Sequence, residues 1–307
     1  MREDPESVDA LRTRHYNATL ARIERSSSAL WILRVRPDRG ALTFKPGQYT
    51  TLGLGSWEPR LEGTQPEPPA PPRLLKRAYS FSHPVLGRDG SGLALPQELD
   101  FHEFYVTLVK QGAAGRPPAF TPRLFARGEG DRLHVGERAT GNYTLDPVRP
   151  GEDVIFAATG TGEAPHNAML WDLLRRGHGG RMVSIVCVRY AADLGYRCLH
   201  GRLQELFPAV RVFALTTREP GDQGRKMYIQ DFVAGGELEK RLGWRLDPQS
   251  THVYLCGNPA MIGLPKTAEG KTVFPRPRGM LEVLQERGFP VDFKRHARGR
   301  VHFEEYW

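Results

Sequence analysis

The stretch DVIFAATGTGEAP, residues 153–165, decides how the second half of the chain is read. DVIFAA (153–158) is a continuous apolar run of the kind found in strands buried on both faces. EAPHNAMLWDLLRR follows, with Ala168, Trp171 and Leu174 at near-helical spacing. Between them, the glycines of ATGTGEAP (158–165) allow tight turning and close approach of a ligand. Pro165 suits the first turn of a helix, and N–H groups at a helix N-terminus favour a phosphate. The same residues would also serve as a plain strand-to-helix turn, and their spacing is not the G-x-G-x-x-G fingerprint.

The pattern continues downstream. MVSIVCV (182–188), a helix around LHGRLQEL, RVFALT (211–216), a long helix YIQDFVAGGELEKRL and HVYLC (252–256) follow in order. Apolar strands alternating with helices predict a five-stranded parallel sheet covered on both faces, with HVYLC counted as the fifth strand. Upstream, HYNATLARIER, ALWILRVRP, GQYTTLGLG, KRAYSFS, HEFYVTLVK and DRLHVGE are short β-type runs bounded by Gly and Pro. They predict an antiparallel barrel or sandwich. The boundary falls near DPVRPGE (146–152), giving domains 1–149 and 150–307. Residues 56–73 contain six prolines in eighteen positions, cannot form a central strand, and read as an exposed, largely disordered insertion. GLPKTAEGKTVFPRPRG, 263–279, reads as a second surface insertion, to which no chemistry is assigned.

The 307 residues, 39% hydrophobic and 25% charged, are enough for two globular domains without disulfide staples. Cys187, Cys198 and Cys256 form no C-x-x-C, which argues against zinc or an iron–sulfur cluster and suggests reduced thiols in a cytoplasm. No metal is expected. MREDPESVDALRTRHY lacks the apolar core of a signal peptide, and no run approaches the roughly 20 residues that span a bilayer. The net charge of +8 suits an acidic protein or a polyanionic cofactor. The basic residues are scattered without interleaved aromatics, so nucleic-acid binding is not expected.

Ligands of open parallel sheets bind beyond the carboxyl ends of the strands. Arg189 ends the second strand in VRYAADL, Arg218 follows the third in TTRE, and Arg225 comes shortly after. Each suits a solvated surface charge. Together they suit a nucleotide 2′-phosphate, which guanidinium holds bidentately. CGNPAMI (256–262) places Cys256 at the mouth of the crevice, either as a small buried hydrophobe or beside a ligand. A catalytic thiolate is not indicated, since no histidine is assignable as its base. In the first half, RAYSFS (77–82) puts Arg77 and Tyr79 on one strand face. That is either an ordinary edge-strand pair or a cation and a ring for a ligand with a phosphate and a planar group.

Taken in order, these segments resemble ferredoxin–NADP reductases of the bacterial type ending in Tyr-Trp. The resemblance rests on RAYS (77–80), EFYVTLV (103–109), TPRL (121–124), ATGTGEAP, VRYAADL, TTRE, the following GR, GELE (236–239), CGNPAMI and the terminal EEYW. It covers nearly the whole chain. It implies an N-terminal FAD-binding antiparallel β-barrel and a C-terminal NADP-binding α/β domain. Arg77 would meet the flavin's phosphates, Tyr79 would stack on the ring and Ser80 would approach N5. Tyr105 and Thr121 would lie along the rest of FAD. Thr161 would sit between flavin and nicotinamide nucleotide, and Arg189, Thr217, Arg218 and Arg225 would line the NADP site. Cys256, Gly257 and Asn258 would form the nicotinamide side, with Cys256 near the reacting carbon. Tyr306 and Trp307 would close the site, Trp307 covering the flavin's other face. Ser80, Cys256 and Tyr79 would orient the rings during hydride transfer rather than attack as nucleophiles. Glu163 must turn away from the phosphates, and Glu304 or Glu305 would be candidate proton donors. The implied partner is an acidic ferredoxin or flavodoxin, met by a monomer with no membrane insertion. Reduction of free flavin, quinone or an oxygenase component, or a non-catalytic flavin sensor or electron-transfer subunit, are the alternative readings.

Overall fold

The β-type runs of the first half become six strands in the computed structural model, which describes residues 7–96, 99–112, 116–221, 226–268, 271–291, 293 and 299–306. The chain forms two units, Met1–His83 with Leu95–Gly141, and Pro84–Ala94 with Asn142–Trp307. The first contains α1 (Val8–His15), β1 (Ala18–Ser27), β2 (Leu30–Pro37), β3 (Tyr49–Gly55), β4 (Leu74–Ser80), β5 (His102–Thr107), α2 (Thr121–Leu124) and β6 (Arg132–Val135). Its strands are ordered β4-β3-β6-β1-β2-β5, and each described pairing is antiparallel. An antiparallel bridge from Ser82 to Glu103 ties the chain just past β4 to β5, so the sheet curls towards a barrel. Leu20, Leu33, Leu52, Leu54, Phe81, Phe104, Leu124 and Leu133 fill its interior.

Residues 56–73 are not the loose insertion their proline content suggests. Ser56 N–H donates to the Arg73 carbonyl at 2.8 Å, which pinches the loop at its base. Glu58 is buried, and its carboxylate accepts from Arg12 (2.9 and 2.8 Å), Tyr16 (2.8 Å) and Arg127 (2.9 Å). Further along, Glu67 meets the buried Arg123 at 2.7 Å, and Arg123 also donates to the carbonyls of Ala119 and Ser56. Proline forbids ladder pairing but leaves side chains free to bond. Buried charges that find several partners anchor a segment with no regular secondary structure.

The second unit contains β7 (Asp153–Thr159), α3 (Glu163–Arg175), β8 (Met182–Val188), α4 (Arg197–Leu206), β9 (Val210–Thr216), α5 (Ile229–Ala234), α6 (Glu237–Leu242), β10 (Thr251–Gly257), α7 (Pro259–Ile262), a hairpin of β11 (Lys266–Ala268) and β12 (Lys271–Val273), α8 (Met280–Glu286) and β13 (Val301–Glu305). The large sheet is parallel throughout, ordered β13-β10-β7-β8-β9. Its fifth strand is β13, within the terminal VHFEEYW. HVYLC is the fourth strand in chain order, so CGNPAMI follows the fourth rather than the fifth. Val154 and Phe156 face one apolar layer with Met169, Leu173 and Leu203, while Ile155 and Ala157 face another with Phe232, Leu238 and Leu281. That explains the uninterrupted apolar run, because side chains alternate between two faces that are both covered. The long helix expected over YIQDFVAGGELEKRL is instead α5 and α6. Gly236 adopts φ +74°, a left-handed conformation that interrupts the helical path.

Glu58 gives a direct test of the loop anchor. Burial raises its carboxyl pKa, but the hydrogen bonds from Arg12 and Tyr16 and the charge of Arg127 outweigh burial and hold it below the ordinary value. The resulting stabilisation is present above the unfolded pKa and lost as pH falls through the folded one. Glu58→Gln should cost about 3 kcal/mol near neutral pH, the scale of a broken buried pair. Urea denaturation should show this gap from wild type shrinking towards acid pH. Equal stability at neutral pH would refute the anchoring role.

Candidate cofactor-binding site

In the second unit the chain enters the sheet at β7, moves outward through β8 and β9, and returns to place β10 on the other side of β7. This reversal is a topological switch point, and the loops after β7 and β10 flank it. They meet at backbone distance. A Cβ built on Gly162 would lie 2.3 Å from the Cys256 carbonyl oxygen, and one on Gly257 would lie 2.3 Å from the Thr159 hydroxyl. Gly257 also has φ +122°. Only glycine fits both positions. The Thr159 hydroxyl accepts the Asn258 N–H at 2.7 Å, and the Asn258 side chain accepts from Ala260 N–H at 2.8 Å, capping α7.

Thr161 lies in the 3-10 turn Gly160–Gly162, half-buried, directly before α3. No side chain caps α3, and a Cβ at Gly160 would meet only open space. The turn therefore offers an open, glycine-rich approach to a helix N-terminus, which suits an anionic group. Glu163 is buried, and its Oε1 lies 2.5 Å from His200 Nε2.

Beyond the ends of β8 and β9 the two chains stay bonded. Thr217 N–H donates to the Val188 carbonyl at 3.1 Å and Arg218 N–H to the Arg189 carbonyl at 2.8 Å. The structure thus brings Arg189, Thr217 and Arg218 together. The Arg218 side chain is exposed, and the Arg189 guanidinium is half-exposed, 3.4 Å from Asp193. Glu219 turns back to accept the Ala191 N–H at 2.7 Å. Arg225 and Trp307 lie outside the described residues.

Cys256 is fully buried. Burial pushes its thiol well above the ordinary value and the Glu304 carboxyl adds to this, against a smaller opposing hydrogen bond with Tyr306. A thiolate nucleophile is therefore disfavoured at neutral pH. Tyr306 continues the β13 pairing, its N–H donating to the Gly257 carbonyl at 2.8 Å. On the same side of the sheet, the Tyr143 hydroxyl lies 2.8 Å from His166 Nε2, and burial lowers the His166 pKa to about 3. Sequence reasoning missed Tyr143 and His166. Tyr143 sits in irregular chain, and a histidine among apolar helix residues reads equally well as core.

In the first unit, Arg77, Tyr79 and Ser80 lie on β4, paired with Leu52, Thr50 and Tyr49 of β3. Arg77 is exposed, Tyr79 is half-buried with its ring 5.8 Å from that of Phe120, and Ser80 is buried. Burial raises the Tyr79 hydroxyl pKa, so the ring stays neutral at ordinary pH. Tyr105 is buried on β5. Thr121 opens α2, and its hydroxyl accepts the Val109 N–H at 3.0 Å. An exposed guanidinium beside a half-buried neutral ring fits a ligand that has both a phosphate and a planar group.

One unit thus carries an antiparallel barrel-like sheet, and the other a parallel sheet covered on both faces with glycine loops at its switch point. Residues 156–266 match the oxidoreductase NAD-binding domain family. The flavodoxin/ferredoxin–NADP reductase of Shigella flexneri is 29% identical over 244 residues, 79% of this chain and 85% of the relative. The ferredoxin–NADP reductase of Pseudomonas aeruginosa (strain PAO1) is 27% identical over 231 residues, 72% of this chain and 76% of the relative. A crystal structure of a ferredoxin NADP+ reductase from Neisseria gonorrhoeae with bound FAD and NADP has the same fold, with a TM-score of 0.69 at 20% identity over 95% of this chain and 98% of that one. Over most of its length the chain is similar to flavodoxin/ferredoxin–NADP reductases.

Glu304 supplies a test of the pocket around Cys256. Burial pushes its carboxyl up to about 7, and its Oε2 has no hydrogen-bond partner among the described residues. A pKa raised on folding gives stabilisation that is present below the unfolded value and lost as pH rises through the folded one. Denaturation midpoints should fall between pH 5 and pH 8 in wild type and fall less in Glu304→Gln. Carbon-13 NMR of glutamate-labelled protein should show one carboxyl titrating near 7 that the variant lacks. Its presence in the variant would reassign the group.

Proposed function

We propose that the protein is an FAD-dependent flavodoxin/ferredoxin–NADP reductase, moving hydride between NADP(H) and flavin and single electrons to or from a small carrier protein. The observation that carries this reading is the placement of Arg189 and Arg218 side by side beyond the carboxyl ends of two neighbouring parallel strands. Two cations there match a nucleotide bearing a 2′-phosphate, whereas a coenzyme with a free 2′-hydroxyl calls for an acid. Arg225 completes the set in this reading.

FAD, when bound, supplies hydride exchange at N5 and single-electron exchange with the carrier. The chain's residues bind and orient. Arg77 would hold the flavin phosphates, Tyr79 would stack on the ring, Ser80 would hydrogen-bond near N5, and Tyr105 and Thr121 would line the remainder. Thr161, Gly257, Asn258 and Tyr306 shape the nicotinamide side. Cys256, held as a neutral thiol by burial, would lie near the reacting carbon rather than attack it. Trp307 would cover the flavin face that nicotinamide must reach. Holding two rings in reacting geometry supplies much of the rate without a strong general base. The net charge of +8 steers an acidic ferredoxin or flavodoxin to the protein, which acts as a monomer. That association should weaken with salt. No helix among the described residues is long and apolar enough to cross a membrane.

Anaerobic titration tests the reading. The visible flavin band should bleach at low NADPH and resist equal NADH. Arg189→Ala/Arg218→Ala should raise the KM for NADPH by at least tenfold more than that for NADH. Equal effects on both coenzymes would sink the 2′-phosphate assignment, and absence of a flavin band after reconstitution with FAD would sink the whole proposal.

A further inference from the structure

Glu163 is the first residue of α3, directly after the glycine turn that the proposed function assigns to the nucleotide's pyrophosphate. An acidic side chain in the first helical turn is drawn towards the N–H groups and the positive end of the helix dipole. A bound pyrophosphate requires the same groups. A carboxylate here should therefore compete with the ligand, unless something holds it elsewhere.

The structure shows what holds it. Glu163 is 1% exposed, and its Oε1 sits 2.5 Å from Nε2 of His200, on the second turn of α4. A carboxylate only accepts, so the bond requires the proton on Nε2. His200 is itself buried, fixed on a helix whose backbone bond from His200 N–H to the Tyr196 carbonyl is 3.0 Å long. The other carboxylate oxygen, Oε2, is buried with no hydrogen-bond partner among the described residues, as is Nδ2 of Asn167 one turn along α3. Among the described residues, Glu163 is thus retained by one side-chain bond. A buried carboxylate with one oxygen unsatisfied is poorly stabilised where it lies, and loss of its single partner would favour its release.

We infer that His200 is a positioning residue that holds the Glu163 carboxylate off the pyrophosphate turn, and so sets affinity for the nucleotide's diphosphate. The inference rests on the function proposed above. Releasing the carboxylate would put a like charge beside the ligand phosphates. The ring-binding residues and the arginines of the 2′-phosphate site would be untouched.

Isothermal titration calorimetry on the FAD-loaded protein reads this without turnover. His200→Leu should weaken NADP+ binding about tenfold, equivalent to about 1.4 kcal/mol. Adenosine 2′-phosphate, which lacks the pyrophosphate, should bind as to wild type. His200→Gln, which keeps a donor, should retain most of the NADP+ affinity. Glu163→Gln/His200→Leu should restore it, because the competing charge is gone. In turnover, His200→Leu should raise the KM for NADPH with kcat changed less than twofold. Unchanged NADP+ affinity in His200→Leu would overturn the inference. So would a double variant as weak as His200→Leu, or parallel weakening of adenosine 2′-phosphate, which indicates general damage. Absence of NADP+ binding in wild type would instead overturn the proposed function, and this inference with it.

Discussion

The close approach of two backbone loops, with Gly162 against the Cys256 carbonyl and Gly257 against Thr159, is the constraint on which the nucleotide-binding half depends. It fixes the turn before α3 relative to the end of β10, so the two sides of the switch point form one rigid edge. A single methyl group at either glycine would push the strands' ends apart or rotate the turn. The Thr159 hydroxyl then ties the second loop to the first through Asn258 N–H. Everything this edge presents, including Thr161, Cys256 and Asn258, inherits its position from that contact.

Charge is handled differently in the two units. In the first, Glu58 is over-supplied with donors, and a loop without regular structure becomes a fixed part of the barrel-like unit. In the second, Glu163 and Glu304 are under-supplied, each keeping an oxygen without a partner among the described residues. Well-satisfied buried charges anchor structure, whereas poorly satisfied ones are poised to change state or position. Both under-supplied carboxylates lie close to the carboxyl edge of the parallel sheet, where the proposed chemistry takes place. Cys256, buried between strands on that edge, is kept neutral by the same lack of solvation.

Much of the architecture was legible because the periodicities are local. The apolar runs at 153–158 and 182–188 could only be strands covered on both faces, and the β-type runs before residue 140 announced an antiparallel unit. The candidate residues Arg189 and Arg218 were legible as strand-end arginines. What failed was wherever a local signal had two meanings. Proline at 56–73 reports that no ladder forms, not that the segment is loose, and Glu58, Glu67 and Arg123 decide the difference. The glycine pair at 235–236 is a small dip in a helical pattern, yet Gly236 splits the helix in two. VHFEE was not counted as a strand because a single edge strand carries no neighbouring pattern to confirm it.

Sequence by itself determined the six antiparallel runs, the first four parallel strands, the switch between the two organisations, and the residue types at the sheet's carboxyl edge, since each follows from spacing of three to ten residues. It also determined the basic balance that suits an acidic partner. Only the tertiary structure decided which glycines are obligatory, that Glu163 turns to His200, and that Glu304 and Tyr306 lie beside the buried Cys256. Those facts join residues 37 or more positions apart. Local pattern carries no information about which distant side chains will compete for the same proton or the same space.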